Sequence, residues 1–186
     1  MKNREIEAKF LKINKDDLVE KLRRLSAQDL GEDFLREMIF YDAAGKWLTE
    51  GKTFVRIRET KKGARLTYKN LEGPTATGTE EIEFAIEDSE KARDFLEALG
   101  LKLHRFQEKR RHTFVLDQVS VDIDSWPKVP PYVELEGPSE VAIQKTAKVL
   151  GFDWSEAVFA NSRMVLEKFY SVPIKTLKYF TFDKVE

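Results

Sequence analysis

Cysteine is absent from the 186 residues, which excludes disulfides and thiolate metal sites. Histidine occurs only at His104 and His112, so a histidine-rich metal cluster is excluded as well. Any metal must be held mainly by carboxylate oxygen, a donor set that suits magnesium, manganese or calcium. No apolar run approaches the ~20 residues that a membrane helix needs. The chain is charged from Lys2 onward and shows no apolar core of a signal peptide, so the cytoplasm is the expected compartment. A glycine-rich phosphate loop of the Walker type is missing too. Charge of one sign is also lacking. Charged residues make up 35% of the chain, yet the net charge is only −1. A balanced excess gives no general attraction to nucleic acid or to a membrane, so the charges must act locally.

What is present is alternation. In "REIEAKF", residues 4 to 10, Glu5, Glu7 and Lys9 share one strand face, and Ile6, Ala8 and Phe10 share the other. Further strands are read at "DFLREMIFYDA", "FVRIRET", "ARLTYKN", "TEEIEFAI", "FQEKRRHTFVL", "VSVDIDSW" and "YVELEG". "GPTATG" reads as a hairpin loop. Amphipathic helices are expected in "NKDDLVEKLRRLSAQ", capped by Asn14 or Asp16, in "DSEKARDFLEALG", in "SEVAIQKTAKVLG" and across "SEAVFANSRMVLEKFY". In the second of these, Ala92, Phe95, Leu96 and Leu99 form the apolar stripe. Connections between strands are short, which favours antiparallel pairing. The fold class is α+β, dominated by an antiparallel sheet.

Every strand repeats the pattern. Arg56 and Arg58 alternate with apolar neighbours, as do Arg65 and Lys69, Glu81 and Glu83, Lys109 and Arg111, Asp122 and Asp124, and Glu134 and Glu136. An open sheet would present such faces to water. Two considerations point inward instead. The amphipathic helices need the apolar strand faces to cover. A sheet of about eight antiparallel strands also tends to curl or close. The expected architecture is a closed or nearly closed eight-stranded barrel with helices outside and a charged tunnel inside. Buried charges in such numbers are costly unless they pair or bind ions. The bases suggest an anion site, and Glu5, Glu7, Glu134 and Glu136 a divalent cation site. Hard cations bridging a polyphosphate would satisfy both sets.

"EIEAK" resembles the E-x-E-x-K signature of the CYTH family, also called triphosphate tunnel metalloenzymes. The later motifs follow in the family's order: "VRIRE", "LTYKN", "TEEIEF", "EKRRHTF", "VSVDID" and "YVELEG". The likeness runs roughly from Glu5 to Leu166. It implies a tunnel that binds a triphosphate with Mg2+ or Mn2+. It further implies metal ligation by Glu5, Glu7, Glu134 and Glu136, and phosphate contacts from Lys9, Arg56, Arg58, Lys69, Lys109 and Arg111. Lys9, Glu7 and Asp122 would carry the chemistry, with Asp122 assisting at the metal or orienting its waters. Arg65, Glu81, Glu83 and Asp124 receive no firm role. The family's late helix usually carries a Ser-Tyr pair, whereas Arg163 follows Ser162 here.

Two domains of function follow as expectations: residues 1–170 as the tunnel domain and 171–186 as a C-terminal extension. The expected activity is hydrolysis of a compact triphosphate, inorganic or thiamine triphosphate. The alternatives are cyclisation of ATP, as in class IV adenylyl cyclases, and a non-catalytic polyphosphate-binding module. "WPKVPPYVELEG" could shape a mouth for a nucleobase in the cyclase reading. "KYFTF" in the tail reads as an extra strand or a homodimer contact. His112, opposite in face to Lys109 and Arg111, reads as packing or surface, and Trp47, Trp126 and Trp154 as packing anchors.

Overall fold

A computed structural model describes the backbone of residues 3–71 and 79–186, and the side chains of 6–70 and 80–186. The expected loop "GPTATG" and the side chain of Glu5 lie outside those residues. The strands are β1 (Asn3–Glu5), β2 (Glu7–Phe10), β3 (Gln28–Asp42), β4 (Thr53–Thr60), β5 (Gly63–Leu71), β6 (Thr79–Ile86), β7 (Leu101–Leu116), β8 (Val119–Ser125), β9 (Tyr132–Glu136) and β10 (Tyr179–Phe180). The helices are α1 (Lys15–Arg24), α2 (Lys46–Glu50), α3 (Ser89–Ala98), α4 (Glu140–Leu150) and α5 (Ser162–Tyr170).

The hydrogen-bonded order is β1-β6-β5-β4-β3-β7-β8-β9-β2, all antiparallel. The two ends of that path, β1 and β2, are consecutive stretches of chain separated by Ile6 alone. They therefore act as one interrupted strand, and the eight-stranded sheet curls until its edges meet at the N-terminal segment. This answers the question of where its charged face looks. Lys9 is 1% exposed, while Ala8 and Phe10 on the opposite face are also buried, beneath the outer helices. α4 packs on β9, β2 and β8, and α1 packs on α4. Leu18 and Leu22 of α1 and Ile143, Ala147 and Leu150 of α4 join Val121, Ile123, Val133 and Leu135 in one core. The strands' apolar faces thus point out to helices, and their charged faces point in.

Helix boundaries follow local chemistry. Asn14 accepts from the Asp16 and Asp17 amides at the start of α1, and Asp88 does the same for Glu90 and Lys91 at α3. Gly151 ends α4 in the left-handed conformation. The expected stripe of α3 needs correction. Leu96 is buried, but Phe95 and Leu99 are exposed, because α3 packs mainly on β7 and β4 through one narrow seam. The single helix read across "SEAVFANSRMVLEKFY" is broken. A 3-10 turn at Trp154–Glu156 precedes α5, whose start is set by the Asn161 side chain capping Met164.

The residues after Tyr170 pack tightly. Ile174, Leu177 and Phe180 join Trp126, Tyr132, Val165 and Leu166 in a second core. β10 adds in parallel to β7, opposite Phe106 and Gln107, beyond the reach of β8. A third core lies under α3, where Phe40, Val55 and Ile57 meet Leu96. Among the described residues, no helix is long and apolar enough to cross a membrane.

Candidate active site

The curled sheet encloses a cavity of about 280 Å³. Strand alternation places its lining. Residues directly opposite across an antiparallel pair project to the same side. Lys9 on β2 opposes Glu134 on β9, which opposes Asp122 on β8, which opposes Thr113 on β7. Glu7 opposes Glu136. On the other wall Glu37 opposes both Arg58 and Gln107, Arg56 opposes Thr67, and Lys69 opposes Glu81.

Most of the expected residues gather there. Glu7, Lys9, Arg56, Arg58, Lys69, Glu81, Glu83, Lys109, Arg111, Glu134 and Glu136 all line the cavity. Asp122 and Asp124 stand just behind it and hold Arg111. Arg65 lies outside, half exposed and paired with Glu83. Among the lining residues that were not anticipated are three charged ones, Glu37, Arg105 and Arg163, and the amide of Gln107. The lining carries eight bases against six acids among the described residues, and Asp122 and Asp124, bonded to Arg111 and Lys109 from behind, bring the acids to eight.

The charges are organised in three groups. Lys9 Nζ sits 2.7 Å from Glu7 Oε1 and 3.0 Å from Glu134 Oε2. Burial alone would lower the Lys9 pKa, but Glu134 and Glu7 outweigh it and raise it. Arg111 grips Asp124 through Nε at 2.7 Å and Nη2 at 2.8 Å, reaches Asp122 at 2.9 Å, and touches Glu134 at 3.3 Å. Burial would raise the Glu134 carboxyl; Lys9 and Arg111 override it and hold Glu134 well below the usual range. Lys109 donates to the same Asp124 at 2.7 Å and lies 5.2 Å above the Trp126 ring. Burial, with the like charge of Arg111, pushes Lys109 down to about 8, since one aspartate serves two bases. In the third group, buried Glu37 accepts from Arg58 Nε at 2.6 Å and from Arg56 Nη1 at 3.5 Å. Burial would raise Glu37, but Arg58 and Arg56 hold it strongly ionised.

Oxygen ligands of Asp122, Glu134 and Glu136 all lie within 4.8 Å of one another. Three carboxylates at that spacing are hard donors of the kind magnesium or manganese takes. Glu134 and Glu136 of the expected metal set belong to this cluster and Asp122 joins them, while Glu7 bonds Lys9 beside it and the side chain of Glu5 lies outside the described residues. The register places Asp122 there, because it directly opposes Glu134.

A curled antiparallel sheet enclosing alternating acids and bases defines a class of charged-tunnel proteins. The chain belongs to the CYTH family, whose domain matches residues 3–156. A Methanocaldococcus jannaschii protein provisionally named an adenylate cyclase is 29% identical over 133 residues, 71% of this chain and 75% of its own. The Pyrococcus horikoshii protein PH1012 shares the fold with a TM-score of 0.71 at 22% identity, over 84% of this chain and 95% of its own. An adenylyl-cyclase-named protein from Hippeastrum, described as having a dominant triphosphatase activity, superposes with a TM-score of 0.59 at 15% identity, over 92% and 96% of the two chains.

Proposed function

We propose that this protein hydrolyses a compact triphosphate with the help of a divalent cation. The observation that carries the reading is the cavity in which bases from several strands face a three-carboxylate cluster. Phosphoryl transfer asks a protein mainly for positioning and for neutralisation of spread-out negative charge. Arg56, Arg58, Lys69, Lys109 and Arg111 face one space from different strands, so they can meet several phosphate oxygens together. Arginine forks suit paired oxygens, and their backing carboxylates fix their orientation before substrate arrives. Glu37 plays that part for Arg58 and Arg56, and Asp124 for Arg111 and Lys109. Asp122, Glu134 and Glu136, with Glu7 alongside, would hold Mg2+ or Mn2+. When bound, such a cation neutralises phosphate charge and lowers the pKa of water. Lys9 pairs with both Glu7 and Glu134 and holds Glu134 ionised.

Cyclisation of ATP is the second reading, supported by the name of the archaeal relative. The aromatic residues of "WPKVPPY" speak for hydrolysis. Trp126 and Tyr132 are buried, the Trp126 indole N–H donates to the Tyr132 hydroxyl at 3.0 Å, and the Trp126 ring is met by Lys109 at 5.2 Å and Phe180 at 5.9 Å, which leaves little open aromatic face for a base. The test is an assay of purified protein with inorganic triphosphate, thiamine triphosphate and ATP, each with Mg2+ or Mn2+. Phosphate release without cyclic AMP supports hydrolysis. Cyclic AMP with pyrophosphate reverses the choice, and binding without turnover leaves a polyphosphate-binding module.

A further inference from the structure

Among the described residues, Arg105 is the lining base that has no carboxylate partner. Its side chain is buried, with the residue 3% exposed. Nε donates to Gln107 Oε1 at 2.8 Å, Nη1 donates to the Ile174 carbonyl at 2.8 Å, and the Tyr41 hydroxyl is a third partner. All three are neutral groups, so they orient the guanidinium without cancelling its charge. Among the described residues no carboxylate lies within ion-pair distance of it. Glu37 acts on it only from beyond Gln107 and is itself engaged by Arg58 and Arg56. A second guanidinium, that of Arg163, lines the same cavity and adds like charge to it, although Glu167 pairs with Arg163 at 3.6 Å. Arg163 is seated by the Leu48 carbonyl at 2.9 Å and against Gly51, where a Cβ would collide with it. Glycine at 51, with φ 72, therefore admits the guanidinium to the cavity wall. Two cations on one cavity wall, one of them buried without a carboxylate partner, are unfavourable unless an anion joins them.

We propose that Arg105 and Arg163 form a second anion subsite at the α5 end of the cavity, which takes a further phosphoryl group of a linear polyphosphate longer than three phosphates. The inference rests on the triphosphate reading above and extends it. Arg105, Gln107, Lys109 and Arg111 are successive inward residues of β7, spaced about 7 Å apart along the strand. The subsite therefore continues the line of bases rather than opening a separate pocket. A triphosphate engages the Lys109 and Arg111 end, and a longer chain reaches Arg105 past the neutral Gln107.

The experiment is calorimetric binding of inorganic triphosphate, inorganic tetraphosphate and a longer linear polyphosphate, with EDTA present, to the full chain. Wild-type protein should bind tetraphosphate or the longer chain about tenfold more tightly than triphosphate, as expected for added charge-assisted hydrogen bonds. In Arg105→Gln that ratio should fall toward one, and Arg163→Gln should move it the same way. Equal wild-type affinities for all three ligands overturn the subsite while leaving the triphosphate reading intact. So does a preference that survives Arg105→Gln in a protein whose melting curve remains cooperative. Should Arg105→Gln fail to fold, the wild-type ratio and Arg163→Gln decide. A wild-type protein that binds none of the ligands overturns the subsite, and the triphosphate reading falls with it where phosphate release with Mg2+ or Mn2+ is also absent.

Discussion

Glu37→Gln is nearly isosteric, yet the hydrogen-bond polarity around it makes it severe. Arg105 can only donate, so Gln107 must turn its oxygen toward Arg105 and its amide nitrogen toward residue 37. On the other side, Arg58 and Arg56 can also only donate. Residue 37 must therefore accept from both directions, which a carboxylate does and an amide cannot. Whichever way the new amide turns, one donor faces another donor. The substitution also leaves two buried guanidiniums without their shared counter-charge; the side chains of Glu37, Arg56 and Arg58 are only 2%, 9% and 17% exposed. Breaking a buried pair of this kind costs about 3–5 kcal/mol. Urea unfolding at pH 7 should show that loss at an unchanged m-value. The pH dependence has a definite sign. Glu37 is held below the ordinary glutamate value of 4.5, so its stabilisation is complete above that value and declines as pH falls below it. The gap between wild type and variant should therefore narrow in acid. A loss under about 1 kcal/mol at pH 7, or a gap constant down into acid, would refute the assignment of Glu37 as the ionised brace.

Several other perturbations separate the roles in the cavity. Arg58→Ala and Glu7→Ala should each lower kcat/KM for triphosphate by about two to three orders of magnitude, with cooperative unfolding retained; near-normal phosphate release in both would remove them from the site. EDTA should abolish turnover, and Mg2+ or Mn2+ should restore it; Asp122→Asn should raise the metal concentration needed for half-maximal rate, and an unchanged requirement would exclude Asp122 from the cluster. Lys109, depressed to about 8, loses its proton as pH rises through that value, so triphosphate affinity measured by calorimetry should weaken above pH 8, and Lys109→Arg should abolish that weakening. Affinity flat from pH 7 to about 10 would show that Lys109 stays charged throughout.

The curled sheet was legible because its signal has period two. Wherever a strand is regular, as at Arg56 and Arg58 or Glu134 and Glu136, the alternating charge tells which side chains go inward, and the helices' apolar stripes tell which way inward lies. The residues that escaped sit where that pattern breaks. Glu37 lies in β3 with Arg36 on one side and Met38 on the other, two places from a register shift between Ile39 and Phe40. A bulge turns the alternation over, so charge spacing in "REMIF" points to neither face. Arg105 was hidden by a boundary. β7 was expected to begin at Phe106, but it starts at Leu101, directly after α3, and this gives Arg105 the same inward parity as Lys109. Arg163 could not be assigned from local pattern at all, because what brings it to the cavity is the α2–β4 corner at Gly51, more than a hundred residues earlier.

Three of those residues, Arg105, Gln107 and Glu37, are connected to one another. The Ile174 carbonyl holds Arg105, Arg105 holds Gln107, Gln107 holds Glu37, and Glu37 holds Arg58 and Arg56. The chain after Tyr170 is thus joined to the phosphate-facing arginines through three side chains, each bond fixed in direction by the donor-only ends. A tail packed in its own apolar cluster then has a chemical consequence inside the tunnel. Leu177→Ala removes a residue buried among Trp126, Leu166 and Phe180 and should loosen that anchor without touching the cavity. A core truncation of this kind costs about 2–5 kcal/mol in stability. If the relay matters, it should also raise KM for triphosphate several-fold at temperatures where the protein remains fully folded, while kcat changes less. An unchanged KM under those conditions would show that Arg58 and Arg56 are held by Glu37 alone and that the tail contributes stability only.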